Sequence, residues 1–338
     1  WLGGKLSDKI GFYKIMIFSL MTSGIAFFGL QFVTSFEGLL VAMFFIMVVA
    51  DMFRPAMFVS LGAYAKPENR TRALTLVRLA INLGFAAGPA LGGLLIMTVG
   101  YKGLFWVDGA TCILAILIFW IKVKEKKKSK YTDKEHPGEI LTYSVFKDRP
   151  FWIFLGATLI TGILFFQLFT TIPLYHKEQF NLSELQTGLL LTLNGVLIFF
   201  LEMPIVSYIE RHKINKLKVI TLGCLAMAIS MYLLLVNYWA GILIIMMLFM
   251  TFGEMFVFPF SNSFAMSRAP KGHEGRYMAI FTMSYSTAHI LSAEAGMDMI
   301  RLFSYQNNWF FMGTLGIIGV LLFIWTMKLV KYEPPRNL

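Results

Sequence analysis

Ten stretches of roughly 19 to 25 mostly apolar residues, separated by short charged turns, govern what this chain can fold into. They run about 15–33, 38–62, 73–97, 103–121, 151–174, 185–207, 217–236, 239–262, 276–299 and 308–328. A hydrocarbon layer of about 30 Å is crossed by about 20 apolar residues in a helix, so each stretch is long enough to span. Lipid offers no hydrogen bonds to the backbone, which leaves only helices and closed barrels. Nothing here alternates apolar and polar residues as barrel strands do. With 57% hydrophobic and only 14% charged residues, against about a quarter charged in soluble domains, the chain reads as an all-α, polytopic helical membrane protein.

The formal charge of +11 would suit a nucleic-acid partner, but its distribution speaks for a bilayer instead. All but five of the 30 lysines and arginines fall in loops on one side. The exceptions are Lys102, Lys177 and Arg301 in the opposite loops, and Arg54 and Arg78 within spans. The excess of positive charge marks the cytoplasmic side and places both ends of this chain there. Cys112 and Cys224 each lie in an apolar run and offer neither a disulfide framework nor a metal cluster.

One loop carries more information than its charge. It reads Gly4-Lys5-Leu6-Ser7-Asp8-Lys9-Ile10-Gly11-Phe12-Tyr13-Lys14. Gly11 supplies a turn position where φ can be positive, and Asp8 stands among lysines. With Gly4, Asp8, Lys9, Gly11 and Lys14 in register, the loop resembles G-x-L-x-D-[RK]-x-G-x-x-[KR], carried by major facilitator superfamily transporters between helices two and three. A second resemblance lies in the third span, where Gly84, Gly88, Pro89, Gly92 and Gly93 match G-x-x-x-G-P-x-x-G-G. That is the family's helix-five signature, associated above all with drug:proton antiporters. Glycines four apart share one helix face and admit another backbone, and Pro89 removes a donor and bends the helix. The fuller family pattern has a glycine at the position held here by Thr75.

The resemblance implies the family fold with ten of its twelve transmembrane helices represented, three to twelve. An amino-terminal half would cover 1–121, a cytoplasmic linker 122–150, and a six-helix half 151–338. The linker's lysine run suits solvation and attraction to anionic lipid. A degenerate internal repeat fits two related halves: Asp8-Lys9 with Lys14 recurs as Glu210-Arg211 with Lys216. Gly4 and Gly11 become Val206 and Lys213 in that copy. In the first copy, Asp8 would meet the amino end of the span opening near Arg276 and act as a gating latch.

Charges inside a span are costly and mark a cavity, a partner or a pathway. For proton coupling the candidates are Glu254, then Glu202, His289 and Asp51. His289 either carries a proton or sits as a neutral ring hydrogen-bonded between helices. Asp51 and Arg54, three residues apart, either share a helix face as a static pair or serve transport. Arg54, Arg78, Asn82, Gln167 and Asn194 are candidates to line a substrate cavity.

The resemblance implies a secondary transporter working by alternating access: proton-coupled efflux of small amphipathic compounds or drugs, with a proton-coupled importer of peptides or other small solutes as the alternative. A transport-inactive receptor is the remote third reading. The chain shows no nucleophile constellation, no metal-ligand cluster and no phosphate-binding loop to power pumping by ATP, so it reads as a non-enzyme without cofactor or metal. The expected partners are a small-molecule substrate, protons and the lipid bilayer, with no nucleic acid, for a monomer in a bacterial inner membrane.

Overall fold

The computed structural model describes residues 10–64, 70–125, 145–268 and 274–331. Gly4, Asp8, Lys9 and most of the 122–150 linker lie outside the described residues, as does the side chain of Arg276. The described residues form twelve α-helices and no strand. They are α1 (Phe12–Leu30), α2 (Phe36–Ala50), α3 (Phe53–Tyr64), α4 (Arg70–Val99), α5 (Tyr101–Lys122), α6 (Arg149–Phe166), α7 (Thr171–Phe180), α8 (Glu184–Arg211), α9 (Lys216–Leu233), α10 (Ile242–Arg268), α11 (Glu274–Leu302) and α12 (Tyr305–Lys331).

Twelve helices for ten expected spans means that two spans are broken. The stretch 38–62 divides at Asp51 and Met52 into α2 and α3, with Pro55 in the first turn of α3, where a missing N–H costs little. Ser19 Oγ donates to the carbonyls of Val49 (2.7 Å) and Ala50 (3.2 Å), so a neighbouring helix adds a donor to the carbonyls at the break. The stretch 151–174 divides likewise at a short 3-10 turn, Gln167–Phe169. Ser183 and Gln186 form a reciprocal capping box on α8, and Lys177 reaches Glu184 at 3.1 Å. Gly11 opens α1 at φ +101°, the positive φ expected of it, with nothing near its missing Cβ. Its counterpart in the repeat, Lys213, also takes a left-handed backbone, at φ +50°.

The chain divides into two compact units, one of residues 1–81 and 91–136 and the other of 82–90 and 137–338. In the first unit α1 packs along α5, and Gly24 faces Gly109: a Cβ on Gly109 would come within 2.8 Å of the Gly24 carbonyl oxygen. Tyr13 closes that pair by donating to the Val123 carbonyl at 2.9 Å.

In the second unit α9 runs between α10 and α12, and α6 contacts α11 and α12. Its core is methionine and aromatic: Met227, Met231, Met246, Met250, Trp309 and Met312 are all fully buried. The unbranched thioether fills the irregular gaps between helices. The close approach again rests on facing glycines. A Cβ on Gly253 would lie 2.8 Å from the Gly223 carbonyl oxygen, and one on Gly223 the same distance from that of Gly253.

At one end of this unit a buried ion pair ties three helices. Asp148 caps α6 by accepting from the Phe151 amide, and Arg268, at the end of α10, donates to its carboxylate through Nη2 (2.6 Å) and Nε (3.1 Å). Tyr277 of α11 donates to the same carboxylate at 2.9 Å. The side chains are 4% and 0% exposed for Arg268 and Asp148, so the arginine, counted in the sequence among the basic loop residues, belongs to the core.

Gly253→Leu should overpack the α9–α10 crossing and cost about 1–3 kcal/mol or more in an unfolding titration of the detergent-solubilised protein, whereas Gly88→Ala, which meets nothing within 4 Å, should leave the midpoint unchanged. Asp148→Ala strands a buried guanidinium and should cost about 3–5 kcal/mol in the same titration.

A carboxyl and carboxamide pair between α8 and α10

Both α8 and α10 are apolar over most of their length, and each holds a strong polar group near its middle: Asn194 and Glu254. Each helix also carries an internal proline beyond that group, Pro204 and Pro259, where one i→i−4 hydrogen bond is lost and the helix can bend. The two polar residues meet. Asn194 Nδ2 donates to Glu254 Oε2 at 3.0 Å and to Thr251 Oγ1 at 3.0 Å. Thr251, one turn before Glu254, gives its own proton to the Met247 carbonyl at 2.7 Å, which leaves its oxygen lone pairs for the carboxamide. The carboxamide is thereby fixed between two acceptors, and the carboxyl is held at a defined place on α10.

A small cavity of about 60 Å³ opens onto this pair, room for a few waters, lined by Phe85, Phe165, Phe169, Asn194, Ile198 and Glu254. Phe165 is braced edge-on by Phe258 at 4.8 Å. Phe85 comes from the Gly84–Gly93 stretch of α4, and the carbonyl of Pro89 in that stretch abuts Gly188, where any side chain would collide with it. Among the described residues no lysine or arginine pairs with Glu254. An acid with an amide partner and aromatic walls, and with no counter-charge among the described residues, can exchange a proton against a cation.

The other residues singled out in the sequence are dispersed. Glu202 is buried on α8 and is not free of partners. His289 is exposed on α11, its ring 4.4 Å from that of Phe166. Gln167 is fully buried and joins two helices: it donates to the carbonyl and hydroxyl oxygens of Ser292 at 2.9 Å each and accepts from Thr171. Gly296 leaves room for its amide, so its place is a packing hub between α6 and α11 and not the cavity wall. Asp51 and Arg54 do not share an unbroken helix, since the chain turns between them, and no ion pair joins them; both are exposed. Arg78 and Asn82 lie on α4 with side chains outside the described residues. Gly84, Gly88, Pro89, Gly92 and Gly93 all lie within α4, which continues through the proline.

Thr251 escaped the sequence reading because a hydroxyl in an apolar run is commonplace; its spacing of three from Glu254 was the available signal. Asp108, an acid inside α5, went unremarked too, and it is exposed.

The model of the Major Facilitator Superfamily matches residues 2–293. The chain is 22% identical to a Na(+), Li(+), K(+)/H(+) antiporter of Planococcus maritimus over 99% of its own length and 86% of the relative's. It is 26% identical to the MFS-type transporter YttB of Bacillus subtilis, which is uncharacterized, over 81% of its length and 68% of the relative's. Among solved structures it superposes on a POT family transporter in complex with 5-aminolevulinic acid with a TM-score of 0.77 at 16% identity, covering 96% of this chain and 84% of that one, a likeness of fold. Seven described helices are long and apolar enough to cross a membrane. The chain belongs to the Major Facilitator Superfamily and is a multi-pass membrane transporter.

Proposed function

We propose that this transporter is a proton-coupled antiporter that exports small cationic or amphipathic compounds by alternating access, with Glu254 as the group that binds proton and substrate in turn. The observation that carries the reading is the Asn194–Glu254 pair, midway along α8 and α10, opening onto an aromatic-walled cavity and without a basic partner among the described residues. A bare carboxylate away from water is expensive, and either a proton or a cation relieves the cost. The two are therefore mutually exclusive occupants, and that exclusion is what coupling by exchange requires. The aromatic rings add a face that favours organic cations. The likeness to a protein named as a cation/proton antiporter supports the same direction of coupling. In this reading the protein is a monomer in a bacterial inner membrane, both chain ends cytoplasmic, its halves separated by the 122–150 linker.

The test is transport in everted membrane vesicles with an imposed proton gradient, scanning Na+, Li+, K+ and lipophilic organic cations for the ability to dissipate it. The parent should respond to at least one of them. Glu254→Gln should lower gradient-driven flux of that cation at least tenfold while Asn194→Ala, which removes only the amide partner, lowers it less. Unchanged flux in Glu254→Gln, or a parent that responds to no cation, would rule the reading out.

A further inference from the structure

A second cavity lies at the end of the second unit where α8, α10 and α12 finish and α9 begins, and it has a different chemistry. Its volume is about 550 Å³, within the span of about 300–1,000 Å³ usual for small-ligand sites. The floor is apolar, built from Ile209, Leu217, Phe260, Phe264 and Val330. The mouth carries Lys213, Lys216, Glu210 and Ser267. Lys216 Nζ is held by a 2.6 Å hydrogen bond to Ser263 of α10, which spends one of its three donors. Among the described residues neither lysine has an ion-pair partner. Lys213 stands on a left-handed backbone, at the position of the turn where the other copy of the repeat has Gly11.

Two nearby sources of positive potential are already committed. The first amides of α9 are capped, since Asn215 Oδ1 accepts from Leu217 and Lys218, and Arg268 is paired with Asp148. Recognition of an anion therefore falls to the two ammonium groups. A soluble anion would have no use for a floor of phenylalanine and isoleucine, and an apolar molecule none for two lysines. The ends of membrane-crossing helices lie at the headgroup layer, where both chemistries occur in one molecule.

We propose that this cavity is a binding site for an anionic phospholipid, its phosphate on Lys213 and Lys216 and the first methylenes of an acyl chain on Phe260, Phe264 and Val330. The inference does not depend on which ion or compound the transporter carries, because the site shares no lining residue with the Glu254 cavity.

The experiment uses the full chain, purified and delipidated in detergent, with phosphatidylglycerol, phosphatidylcholine and glycerol 3-phosphate as probes in native mass spectrometry and thermal unfolding. Phosphatidylglycerol should remain bound and raise the unfolding midpoint, while phosphatidylcholine binds at least tenfold more weakly. Lys216→Gln should weaken the phosphatidylglycerol adduct severalfold. Lys213→Gly serves as the folding control, since glycine suits that backbone: it should unfold no earlier than the parent without lipid, yet bind phosphatidylglycerol severalfold more weakly. Equal retention of phosphatidylglycerol by parent and both variants, or equal binding of the two lipids, overturns the proposal. Stabilisation by glycerol 3-phosphate equal to that by the lipid overturns it too, by assigning the lysines to a soluble phosphate.

Discussion

A polar group inside a bilayer must find its partner within the protein, and much of this structure follows from that requirement. Backbone groups meet it by coiling into helices, which is why the described residues contain twelve of them and no strand. Side chains meet it by pairing across helices. Asn194 with Glu254 and Thr251, Gln167 with Ser292 and Thr171, and Ser19 with the carbonyls of Val49 and Ala50 are three answers to one problem. The pairs differ in consequence. The Gln167 cluster is closed, with both amide protons and the amide oxygen matched to partners, so it fixes α6 against α11. The Glu254 cluster is open, because a carboxyl has more acceptor sites than one carboxamide can fill and a cavity adjoins it.

Such pairing demands that helices come close enough for short polar side chains to meet. Facing glycines provide that approach: Gly24 with Gly109 in one unit and Gly223 with Gly253 in the other. Gly253 immediately precedes Glu254, so the residue that admits α9 to one side of α10 sits beside the residue that offers its carboxyl to α8 on another. Prolines act on the same elements in a complementary way. Pro55 accompanies a full break, whereas Pro89, Pro204 and Pro259 stay inside continuous helices. The difference lies in position: a proline in a first turn removes a donor that has no partner there, and one further along removes a ladder bond.

The buried Asp148–Arg268 pair shows how charge placement can mislead when counted along a chain. Lysines and arginines after an apolar run register as loop residues, which makes them useful for orientation and poor guides to individual roles. Arg268 ends α10 facing inward, because Asp148 and Tyr277 converge there from α6 and α11. Its neighbours in the count, Lys213 and Lys216, stay at a cavity mouth and form no ion pair among the described residues.

The sequence by itself determined the helical membrane class and the family, because hydrophobic length and glycine-rich motifs are local properties read along the chain. It also picked Glu254 and Asn194, since a strong polar group within an apolar helix is conspicuous without any knowledge of its neighbours, and it placed a positive φ at Gly11. Which polar residues meet was decided only by tertiary structure. Gln167 and Asn194 are alike in sequence, each an amide in an apolar run, yet one is sealed into a helix joint and the other faces a cavity with an acid. Asp51 and Arg54 have the spacing of a helical pair and lose it to a break. These outcomes depend on contacts between residues far apart in the chain, and no local pattern of apolar and polar residues encodes the partner on another helix.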